Sequence, residues 1–142
     1  MSIVGTGLRA GLVAAVVSGA PSTVHAALTR QDPLEATRAA GAMLLPGETR
    51  TAPLLAAAVP VHLALSLGWG VVLAAVLPRR RTTAWGALAG LAIAAVDLNV
   101  PGRRTARVRD LRTAPQVADH LAYGITTGAV VAELRRRALR IR

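Results

Sequence analysis

The chain has no cysteine, no lysine and no phenylalanine. Without cysteine there are no disulfides, no thiolate nucleophile and no zinc finger. Without lysine there is no Schiff-base chemistry and no Walker-type phosphate loop. Aromatics are scarce: two Trp and one Tyr in 142 residues. A water-soluble core of this size normally draws much of its buried area from aromatic rings. Here the apolar content is alanine, valine and leucine, with 13 glycines, a composition suited to helices packed closely in lipid.

Also lacking is charge in long stretches of the chain. Thr51 to Pro78 holds no Asp, Glu, Lys or Arg. A membrane-spanning helix needs about 20 predominantly apolar residues to cross a hydrocarbon layer of roughly 30 Å. Three further apolar runs accompany it: Ala10 to Thr29, Thr82 to Pro101 and Thr113 to Leu134. The expectation is an all-α, four-span transmembrane helix bundle forming a single integral membrane domain over 1–142, with spans near 10–29, 52–77, 83–101 and 114–133. The first run also fits a signal peptide with a cleavage-like Val24-His25-Ala26, but three later spans make a cleaved leader unnecessary. The last run is the weakest, because it must accept Asp119, His120 and Glu133. Its alternative is a re-entrant or interfacial helix.

Between the first two runs, Asp32-Pro33-Leu34-Glu35 reads as a helix start, with Asp32 as cap and Glu35 reaching back to it. Pro46-Gly47 stops that helix. Its apolar side fits an interfacial helix lying on the membrane; the plainer alternative is a loop helix packed on the bundle.

All 17 basic residues are arginine, and the net charge is +10. They cluster beside the apolar runs, at Arg79–Arg81, Arg103–Arg112 and Arg135–Arg142. That placement points to a lipid bilayer with anionic headgroups as partner, not to nucleic acid, which would want a soluble basic face with aromatics to stack on bases. The expected location is the cell (inner) membrane. The two sides carry nearly equal numbers of arginines, so the run after the strongest span decides the orientation, with both termini cytoplasmic.

Small residues recur at four-residue spacing: Gly7 and Gly11, Ser66 and Gly70, Gly86 and Gly90, Gly124 and Gly128. These are the expected helix-packing positions, the first pair carrying least weight because it lies so near the terminus. A homo-oligomer or a larger membrane complex is a further expected partner.

His25, His62, Asp97, Asp119 and His120 lie within or beside the apolar runs. In a four-span bundle, chain order alone puts all five in the same half of the bilayer. At about 100° per residue, Asp97 falls on the face of Gly86 and Gly90, and His120 on the face of Gly124, flanked by Tyr123. Asp119 points about 100° away from His120, so one of the two leaves the interior, and His120 is the one expected inside. The expected cluster is His62, Asp97 and His120 facing one another, with Tyr123 nearby. It suits proton or small-solute handling, or an accessory role in a membrane complex. A divalent metal held by His62, Asp97 and His120, making the chain a membrane-embedded metal-dependent enzyme, is one alternative. A purely structural role is the other. A serine hydrolase lacks its GxSxG elbow, and Gly5-x-Gly7 lacks a dinucleotide-binding context, so no catalytic residue is assigned.

VHLALSLGWG in the second run and DHLAYGITTG in the fourth resemble bacterial inner-membrane proteins of the YagU type. The resemblance implies a small multi-pass protein with His62 and His120 on its spans, in a family linked in general terms to acid tolerance. It implies no reaction.

Overall fold

The structure is a computed structural model and describes residues 2–140. It is all-helical, with no strand among the described residues, and three helices are long and apolar enough to cross a membrane: Ile3–Leu28, Thr51–Val76 and Thr82–Arg104. The first of these is two helices in line, α1 (Ile3–Ser18) and α2 (Ala20–Leu28), broken at Gly19. Pro21 has no N–H to give to the preceding turn, which is why the ladder is interrupted there. The first helix starts well before Ala10, because Ser2 caps it by accepting the Gly5 N–H at 3.1 Å.

α3 (Glu35–Gly41) is shorter than the expected helix and packs against the start of α4 (Thr51–Val76). Asp32 accepts the Leu34 N–H at 2.8 Å, as a cap should. Glu35 does not reach back to it. Its oxygens face Arg38 and Arg107 instead, because two guanidinium groups offer stronger donors than one backbone amide. α5 (Thr82–Asn99) follows the turn at Pro78–Arg81, where Arg81 takes a left-handed backbone (φ 53°). A 3-10 turn (Gly102–Arg104) and the four-residue α6 (Ala106–Arg109) lead to α7 (Thr113–Arg140). α7 is long enough to span, but its charges leave it outside the set of sufficiently apolar helices.

Two glycine seams set the architecture. Gly7 and Gly11 of α1 meet Ser66, Gly70 and Val71 of α4 backbone to backbone. Gly86 and Gly90 of α5 meet His120, Gly124 and Gly128 of α7 in the same way. A methyl group at any of these glycines would run into the facing main chain. The Gly7–Gly11 pair is therefore central to a seam, although its sequence position argued against it. α7 also packs along α1 and α2, so the helices run α4, α1, α7, α5 across the bundle. α4 and α5 are consecutive in the chain yet barely touch. Ala14, Leu73, Leu77, Ile93 and Tyr123 fill the space where they converge toward their connecting turn. Away from that turn they leave a gap.

Candidate functional site

The gap is a cavity of about 360 Å³. The α1–α2 break, α4, α5 and the first turns of α7 wall it, and α3 and the 101–111 segment cover it. It lies in the half of the bundle remote from Arg79–Arg81. His62, Asp97, Asp119, His120 and Tyr123 all line it.

Asp97 and His120 form its centre. His120 Nδ1 lies 2.7 Å from the Gln116 carbonyl oxygen, which can only accept, so that nitrogen carries a hydrogen. Nε2 then faces Asp97 Oδ2 at 3.6 Å. A bare Nε2 lone pair against an ionised carboxylate would be repulsive. The two stable forms are a carboxylate with imidazolium and a carboxylic acid with neutral imidazole, so the pair holds one proton in either. Trp69 donates its indole N–H to both Asp97 oxygens, at 3.2 and 3.3 Å. The His120 and Asp97 side chains keep 20% and 15% of their surface exposed, so the pair is not sealed.

His62 and Asp119 are tied to the break between α1 and α2. A helix that ends leaves its last carbonyls without intrahelical donors, and one that starts leaves its first N–H groups without acceptors. His62 Nε2 lies 2.8 Å from the Ala15 carbonyl oxygen, near the end of α1. Asp119 Oδ1 accepts the Ser22 N–H at 2.8 Å, at the start of α2. Each polar side chain takes one side of the interruption. Asp119 does not leave the interior, contrary to the helical-wheel expectation. The break at Gly19 turns unpaired N–H groups toward α7, which gives a second inward-pointing side chain a partner.

Tyr123 is buried, and its hydroxyl donates to the Ser66 carbonyl oxygen across the α4–α7 contact. Beneath it Thr127 is fully buried, with no hydrogen-bond partner for its hydroxyl among the described residues. His25 does not join the cluster. Beyond the break, His25 lies at the rim with Nε2 3.5 Å from Arg112, lining a neighbouring hollow with Asp32 and Asp110. Among the described residues no three His, Asp or Glu side chains come together as a metal site. His62, the expected third ligand beside Asp97 and His120, has its Nε2 turned to α1 instead.

Sequence reasoning passed over three contributors. Trp69 lies seven positions after His62, on the same helix face, but was given no role. Ser22 owes its role to the break, for which Gly19 and Pro21 are the available signal. Met43, from the cover, lines the cavity through a contact no local pattern announces. No family model, curated protein or solved structure matches the chain, so the reading of the site rests on its geometry.

Proposed function

We propose that this chain is a small four-span protein of the cell membrane, with both termini cytoplasmic, that moves protons or a small solute through the Asp97–His120 site. α7 serves as the fourth span, with Asp119 turned to the α1–α2 break and His120 to Asp97 rather than to lipid. The resemblance of the His62 and His120 segments to YagU-type proteins agrees with the location. The observation that carries the reading is the cavity itself. A cluster with only a packing role would be filled and closed, whereas here about 360 Å³ of space reaches His62, Asp97, Asp119 and His120. A pair that shares one proton beside such a space can give it up and regain it as the surroundings change.

The test is Asp97→Asn in protein reconstituted into vesicles with a pH-sensitive dye inside. Asparagine keeps the shape and the acceptor for Trp69 but cannot ionise. Proton movement above the protein-free background should fall to background while helicity and thermal unfolding stay as in the wild type. Unchanged proton movement in the variant would remove the proposal and leave the packing role.

A further inference from the structure

We propose that the cavity binds a small monovalent organic cation, an amine with a compact apolar body, with its ammonium group on Asp119. This rests on the reading of Asp97 and His120 given above and names the class of solute that reading leaves open.

The argument begins with size and charge. Small-molecule sites run from about 300 to 1,000 Å³, and this cavity falls at the low end, right for a few-atom body rather than a lipid. The chain carries 17 arginines, yet none of those among the described residues lines the cavity. Its ionisable lining is two carboxylates, two imidazoles and the Tyr123 hydroxyl. Asp97 and His120 are neutral together in either of their one-proton forms. His62 has its Nε2 on the Ala15 carbonyl oxygen, where it donates to α1. Asp119 remains. It receives the Ser22 N–H, a partial positive charge at a helix start, and no arginine among the described residues lines the space beside it. An ionised Asp119 brings a negative charge into the space, and no arginine among the described residues lies there to offset it.

A negative space without arginine disfavours anions. A divalent ion wants three or more ligands that do not assemble here. The walls decide the rest of the occupant. Met43, Val59, Leu65, Ile93 and Leu98 add apolar surface to the same space. At the rim the hollow lined by His25, Asp32, Glu35, Asp110 and Arg112 adjoins the cavity through Ser22, Ala36, Leu111 and Gln116. Loss of the shared Asp97–His120 proton would add a second negative charge to the space, so proton release and ammonium binding assist each other.

Trp69 supplies the readout. Trp85 lies half exposed near the far end of α5, and Trp85→Phe leaves Trp69 as the single tryptophan. In that background, in detergent or nanodiscs, phenethylamine should change Trp69 emission saturably. Phenethyl alcohol, neutral and nearly isosteric, and hydrocinnamate, its anionic counterpart, should each bind at least about tenfold more weakly, a difference of about 1.4 kcal/mol. Asp119→Asn keeps an oxygen for the Ser22 N–H, so the break stays capped, and should lower phenethylamine affinity by a similar factor. Equal binding of amine and alcohol, or undiminished amine binding by D119N, overturns the proposal. The two readings fail separately. No amine binding alongside proton movement that is lost in D97N refutes the amine and spares the proton site. Selective amine binding alongside unchanged proton movement in D97N does the reverse.

Discussion

α4 and α7 are nearly the same length and face opposite problems. α4 has no charged residue over 26 positions, yet it buries little beyond Leu54, Ala58, Ser66, Gly70, Leu73 and Ala74, and it leaves Val59, Val72 and Val76 exposed. α7 carries Asp119, His120, Glu133 and a basic tail, yet it packs along α5, α1 and α2 and touches α4. In a protein dissolved in water the order would be reversed, with the apolar helix inside and the charged helix at the edge. An apolar helix outside and a polar one enclosed fit a chain whose solvent is lipid. There, exposing apolar surface costs nothing and exposing a carboxylate costs a great deal.

The largest effect should come from one glycine in each helix. A Cβ on Gly124 of α7 would lie within 2.8 Å of Gly90 main-chain atoms, whereas one on Gly68 of α4 would meet nothing within 4 Å. Gly124→Leu forces α5 and α7 apart. Its cost should reach the upper end of overpacking, about 3 kcal/mol. Gly68→Ala should be neutral or gain up to about 1 kcal/mol from helix propensity. Denaturant unfolding in detergent, followed by circular dichroism, compares the two. Equal effects would mean that α7 is not the enclosed helix.

The same contrast explains what the sequence revealed. α4 was legible because its constraint falls on every residue of the run, and 28 uncharged positions can be counted. α5 was legible for the same reason. α7 was legible as a helix but not as a sufficiently apolar one, because Asp119 and His120 find their partners on α2 and α5, which no local count includes. The site divides likewise. Asp97 and His120 share a seam with Gly86, Gly90 and Gly124, and helical spacing finds that. The inward turn of Asp119 depends on a break in another helix nearly a hundred positions earlier, and the departure of His25 depends on the same break. The separation of α4 from α5 follows from each helix choosing a glycine partner other than its chain neighbour.

A smaller effect should come from the contact that joins the two helices at their C-terminal ends. Arg135 of α7 donates to the Leu77 and Ala74 carbonyl oxygens, each at 3.0 Å, where α4 runs out of intrahelical donors. A cation at a helix C-terminus is favourable on dipole grounds as well. Because the site is partly exposed, Arg135→Ala should cost only about 1 kcal/mol, well under the full value of a charged hydrogen bond. Arg137→Ala, which removes a surface pair with Glu133, should cost less in the same unfolding measurement. If the two variants cannot be told apart, α7 does not help to close the end of α4.

The smallest effect concerns the cover over the cavity, which belongs to neither helix but rests on α4. The Arg38 guanidinium, followed by the Leu34 N–H, holds the Asp32 carboxyl below its usual range. Hydrogen bonds from Arg50 bring Glu48 down to about 2 from an ordinary 4.5. A carboxyl whose folded value is depressed adds stability that is complete above its unfolded value. That stability fades as pH falls toward the folded one. For Glu48 the loss runs from about pH 4.5 to about 2, and for Asp32 it runs downward from about pH 3.9. Both pairs are near the surface, so salt should shrink the effect. Amide hydrogen exchange over residues 34–50 measures it against the double variant D32N/E48Q at each pH. Near neutral pH and low salt the variant should exchange faster across the cover, and the difference should vanish at the acid end, while exchange in the seam halves of α4 and α7 stays matched. A difference that persists below pH 2, or that spreads into the seams, would mean that the cover is held by packing on α4 rather than by these ion pairs.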